Sequence, residues 1–101
     1  MFTIALLVAA QTAEPQAFTP EEERAVVAIA LCQKRYFDSI ASDERRRKGE
    51  SLIDESWGQC TSEEEALRTM LQSRFNASAV ERVMQIVRNT GRDSMINYIK
   101  R

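Results

Sequence analysis

TPEEERAVVAIALCQKRYFDSI, residues 19–40, is the stretch whose reading decides the fold. Thr19 is a good helix cap, and Pro20 takes the first helical position, where its missing N–H has no partner to lose. Glu22 then stands three residues after the cap and completes a capping box. Behind this start Ala25, Ile29, Cys32, Tyr36 and Ile40 recur at spacings of three and four, flanked by Val26, Ala30 and Phe37. That is the period of a helix with one broad apolar face. The helix is expected to run from Pro20 at least to Ile40.

The same period continues downstream, and no strand-like alternation interrupts it. Ser62 with Glu65, or Thr61 with Glu64, suits the start of a helix carrying Leu67, Met70, Leu71 and Phe75. Asn76 or Ser78 opens the next, with Val80, Val83, Met84 and Val87 as its stripe. Around Thr90-Gly91 the stripe changes phase before Met95, Ile96 and Ile99, which predicts a kink or short break followed by a terminal helical segment. With only two prolines and three glycines in 101 residues, the chain has few places to stop being helical. The expected fold class is all-α, a small single-domain bundle of about four helices over residues 19–101.

Cys32 and Cys60 constrain how the helices fold back. An antiparallel pair joins side chains only at equal distances from its turn, because each helix rises about 1.5 Å per residue. The midpoint of the two cysteines is residue 46, which places a reversal within Arg45-Arg46-Arg47-Lys48-Gly49. Cations suit a helix C-terminus and Gly49 the residue beyond it. Ser51 with Asp54 can then cap a short helix carrying Leu52, Ile53, Ser56 and Trp57 to Cys60.

Upstream, residues 1–10 read MFTIALLVAA and carry no charged side chain, whereas the whole chain holds 14 Lys and Arg and 15 Asp and Glu. This is the pattern of a secretory signal peptide, with cleavage expected after Ala10 at Val8-Ala9-Ala10, or after Ala13. Its n-region has no Lys or Arg. At roughly ten residues the apolar run is too short to span a bilayer. No Cys follows it to take a lipid anchor. Residues 11–18 are expected to be a flexible N-terminal segment. An oxidising destination predicts a Cys32–Cys60 disulfide, whose loop contributes about 3.5 kcal/mol by chain entropy. The alternative is two buried free thiols in a reducing compartment.

The residue types narrow the chemistry. There is no His, which removes the commonest general base and metal ligand. With both thiols bridged no cysteine nucleophile or zinc set remains, so no cofactor and no metal are expected. Glu21-Glu22-Glu23 and Glu63-Glu64-Glu65 lie at helix starts, where acidic side chains complement the helix dipole. Asp54-Glu55 is a surface pair. Trp57, Tyr36, Phe37 and Phe75 fall on apolar stripes and are expected in the core. Asn76-Ala77-Ser78 matches a glycosylation acceptor and serves equally as a cap.

Arg45, Arg46, Arg47 and Lys48 form the sharpest charge cluster and are the candidate partner-binding residues. Arg82, Arg88, Arg92, Lys100 and Arg101 form a second basic region. A formal net charge of −1 argues against nucleic acid. An anionic membrane surface is a weaker fit than an acidic protein. The reading is a non-enzymatic exported protein, periplasmic or secreted and soluble, acting by binding another envelope or secreted protein. The general plan, a small exported helical domain with one disulfide and a Trp near a Cys, resembles the periplasmic acid-stress chaperones in architecture. That resemblance implies the alternative, a stress-activated holdase. A carboxylate-based hydrolase and a membrane-surface binder are less favoured. Export predicts that intact mass of the protein from its native host lacks ten to thirteen N-terminal residues; the full-length chain recovered from the cytosol is the contrary result.

Overall fold

The computed structural model describes residues 18–101, so the leader expected over residues 1–10, and residues 11–17 of the expected flexible segment, lie outside it. Among the described residues the chain forms five helices and no strand: α1 (Pro20–Asp38), α2 (Ser42–Lys48), α3 (Ser51–Gln59), α4 (Thr61–Gln72) and α5 (Ala77–Ile99). The all-helical class stands, with one helix more than the four expected.

The start of α1 is the capping box read from sequence. Thr19 Oγ1 accepts from the Glu22 N–H at 3.1 Å, and Glu22 Oε1 accepts from the Thr19 N–H at 3.0 Å. Its end differs from expectation. The helix stops at Asp38, because the Ser39 hydroxyl donates to the Tyr36 carbonyl and Arg45 folds back to donate to the carbonyls of Phe37 and Ile40, at 3.2 and 3.3 Å. The reversal is likewise no tight turn. Its basic residues form α2, which bridges from α1 to α3, and Gly49 follows with φ of 58° and ψ of −135°, a backbone region closed to side chains.

The buried face of α1 is rotated from the expected stripe. Glu22, Ala25, Ile29, Gln33 and Phe37 point inward, while Cys32, Tyr36 and Ile40 are only half-buried. Gln33 hides because it has a partner. Its Nε2 donates to Ser56 Oγ at 2.9 Å, and that hydroxyl donates to the Ile53 carbonyl at 2.6 Å. A buried amide satisfied in this way avoids the desolvation cost that otherwise keeps glutamine at the surface.

Two apolar clusters stack along the molecule. Ala25 and Ile29 of α1, Leu67 and Leu71 of α4, and Val80 and Met84 of α5 make one. Phe37 of α1, Leu52 and Ile53 of α3, and Met95 and Ile99 of α5 make the other. The N-terminal halves of α1 and α5 share the first cluster and their C-terminal halves the second, so these two helices run parallel. Between them α3 and then α4 descend in the opposite sense. Trp57 packs against both clusters at the seam.

α5 passes through Thr90-Gly91 without the expected break. The apparent phase change has a simple source: Val80, Met84, Gly91, Met95 and Ile99 follow one face, and the stripe is interrupted only because Gly91 has no side chain to show. At α4 neither Thr61 nor Ser62 provides a side-chain cap; Cys60 stands at the boundary, closing α3 and starting α4. Ser51 likewise does not cap α3, its hydroxyl donating instead to the Lys48 carbonyl at 2.9 Å. Asn76 does cap α5, accepting from the Ala79 N–H at 2.9 Å.

Cys32 and Cys60 are joined, with Cα atoms 6.0 Å apart. The bond fastens the α3–α4 break to the middle of α1. Replacing both cysteines by Ala is expected to destabilise the domain by about 2–4 kcal/mol and lower Tm by about 10–25 °C. Thermal melts followed by circular dichroism measure this, and free thiols titrating in the unreduced protein are the contrary result.

Candidate functional site

Three of the four expected partner-binding cations are engaged within the molecule. Arg45 has a side chain only 13% exposed, caps the C-terminal carbonyls of α1, and lies 3.9 Å from Asp38. Arg47 pairs with Glu44 at 3.7 Å. Lys48 pairs with Glu55 at 3.3 Å, and the same carboxylate accepts from the Tyr36 hydroxyl at 2.9 Å. The tyrosine hydroxyl and the lysine together hold Glu55 below its usual pKa, and the carboxylate pushes that of Tyr36 up. Arg46 is exposed and forms no ion pair among the described residues.

Arg46 lies at a cleft of about 360 Å³ between the end of α2 and the last turn of α5, together with Gly49, Glu50, Ile96, Ile99 and Lys100. Lys100, from the second basic region, is also exposed and without an ion pair among the described residues. Sequence reading had no means of placing Lys100 beside Arg46, because their proximity depends on α1 and α5 running parallel. Glu50, the one acid lining the cleft among the described residues, is held by Arg92 at 3.3 Å, and Arg92 reaches Asp54 at 3.7 Å.

Nearby, the Tyr98 hydroxyl donates to Asp38 at 2.6 Å, which raises its pKa, and the Tyr98 ring lies under Lys34 and Arg101 at 5.7 and 5.4 Å. These cation–π contacts leave the charges facing solvent. Arg35 adds a further exposed cation at the C-terminal end of α1. The rest of the second basic region is dispersed. Arg88 makes a bidentate pair with the buried Glu64, at 2.8 and 2.9 Å, and covers the Trp57 ring at 4.8 Å. Arg82 lies at the far end, bonded to the Ser78 hydroxyl.

At that far end an apolar groove of about 570 Å³ is lined by Phe18, Phe75, Val83 and Ile86, with Arg74 and Arg82 on its border. Ile86 is 60% exposed, and Val27 and Leu31 of α1 are also exposed. Cys32, Cys60 and Glu63 bring their donor atoms within 4.8 Å of one another, but the two sulfurs are bonded to each other and offer no thiolate.

The acidic helix starts have a role that sequence reading missed. Besides completing its capping box, Glu22 is 2% exposed and takes a bidentate pair from Arg74, at 2.8 and 2.6 Å, across 52 residues of sequence. The arginine bond holds the Glu22 carboxyl below its usual range. Glu64 is tied to Arg88 in the same way. No local signal marks which arginine each glutamate meets.

Compared with known proteins, the chain matches no family model, no curated protein and no solved structure.

Because Glu22 has a lowered pKa in the fold, its contribution to stability is present above the usual glutamate value of about 4.3 and is lost as the pH falls below that value. Glu22→Gln keeps a capping side chain but removes the charge. It is expected to cost about 1–2 kcal/mol at pH 7, a figure reduced for the solvent around Arg74. The gap from the parent protein should close on acidification below pH about 4. Denaturant melts at both pH values check this, and a gap independent of pH contradicts it.

Proposed function

We propose that this chain is an exported, non-enzymatic protein that acts by binding an acidic protein partner through the end of the bundle where α1 and α5 finish. The observation that carries the reading is the pair Arg46 and Lys100, both exposed, both lining one cleft and without ion pairs among the described residues. Arg45, Arg47, Lys48 and Arg92 are held by carboxylates, whereas these two keep their charge available. Lys34 and Arg101, both over the Tyr98 ring of the last turn of α5, add positive charge at the same end. Such a field steers an acidic partner and sets the salt dependence of its docking. The helix that carries Arg46 is anchored: α2 is tied to α1 through Arg45 and to α3 through Lys48, which lowers the ordering cost of binding.

A second reading has its own observation. The exposed Val27, Leu31 and Ile86 and the groove beside Phe18 suit a holdase that acts after partial opening. The two readings diverge under stress. A constitutive binder keeps its fold on mild acidification, whereas a holdase exposes new apolar surface, takes up a hydrophobic dye and suppresses aggregation of a client.

The deciding test compares the mature, oxidised protein with Arg46→Gln/Lys100→Gln in capture from the envelope or medium, at about 50 and 200 mM salt. Acidic proteins should be retained by the parent, lost by the double variant and weakened by salt. Capture indifferent to both changes removes the basic end from the reading.

A further inference from the structure

The cleft itself narrows the partner further. Resting on the acidic-partner reading, we propose that it recognises a peptide segment in which an aliphatic side chain adjoins a carboxylate. Its aliphatic lining comes chiefly from the half-buried Ile96, since Ile99 is almost fully covered, and water displaced from Ile96 favours an apolar group. Arg46 and Lys100, both exposed, also line it and offer a carboxylate two cations, Arg46 with a bidentate fork. The opposition of Glu50 is lessened by its pair with Arg92, which that arginine divides with Asp54. A Cβ built at Gly49 would meet only the Arg46 carbonyl at 4.0 Å, and the positive φ of that glycine keeps larger residues out.

Size and field decide between ligand classes. At about 360 Å³ the cleft lies at the small end of ligand sites, enough for one or two side chains. It is bordered by the C-terminal ends of α2 and α5, where helix carbonyls bring partial negative charge. That field disfavours a doubly charged phosphate more than a singly charged carboxylate, and a peptide also carries N–H donors for which a helix end offers carbonyl acceptors. A peptide is therefore preferred over a phosphate-bearing lipid headgroup.

The test is fluorescence anisotropy with a labelled hexapeptide having Leu-Glu at its centre, alongside versions with Leu replaced by Ser or Glu by Gln. The Leu-Glu peptide should bind about tenfold more tightly than either control, and Arg46→Gln/Lys100→Gln should remove about as much. Ile96→Trp, which fills the aliphatic part of the cleft, should abolish the preference for Leu while leaving the salt dependence. Circular dichroism establishes that each variant is folded.

Equal binding of the Leu and Ser peptides, with sensitivity to Arg46→Gln/Lys100→Gln retained, overturns the aliphatic subsite and leaves the acidic-partner reading standing. Peptide binding indifferent to that double variant overturns both. So does binding to vesicles of phosphatidylglycerol and phosphatidylcholine without binding to any of the peptides.

Discussion

The bond between Cys32 and Cys60 fastens the uncapped break between α3 and α4 to the middle of α1. α3 and α4 follow nearly the same course along α1, but the chain is not helical at Cys60, and that residue has no side-chain oxygen with which to cap α4. A break of this kind lets two short helices swing against each other. Fastening it to mid-α1 holds α3 over the second apolar cluster and α4 over the first, with Trp57 across the seam. Isolated helices of nine and twelve residues are marginal in water, so their order depends on this anchorage and on the apolar face they share.

The features legible in the sequence were those whose causes are local. The capping box at Thr19 and Glu22, the Asn76 cap and the glycine after the basic residues each need only a few neighbouring positions, and the structure has all three. The cysteine pairing was legible because two cysteines allow one partner each. What failed depended on distant groups. α1 is rotated because Gln33 finds Ser56. It ends early because Arg45, seven residues on from its last residue, takes its carbonyls. The false break in α5 shows the opposite error, a stripe misread because glycine leaves a gap in a pattern built from side chains.

The candidate site was half legible. The basic segment was visible as four consecutive cations, yet consecutive residues on a short helix point in different directions. Each therefore meets a different environment, and only Arg46 is left without a carboxylate among the described residues. Its counterpart Lys100 lies 54 positions away in sequence, and periodicity says nothing about such a pair. The acidic residues do lie in first turns, with a capping box at α1 but none at α4, and Glu22 and Glu64 also turn inward to arginines. One residue thus meets both a local and a long-range requirement.

The parallel course of α1 and α5 bears on how the chain reaches this fold. Helical bundles usually fold quickly because neighbouring helices pair through short loops. Here the first and last helices must find each other across nearly the whole domain, as the contact between Asp38 and Tyr98 over 60 residues shows. Loop-closure entropy opposes that meeting until the intervening helices are in place. A bridge already formed between Cys32 and Cys60 shortens the path from α1 to α5. Oxidation before the final docking should therefore speed assembly, and the reduced chain should be slower to bring its two ends together.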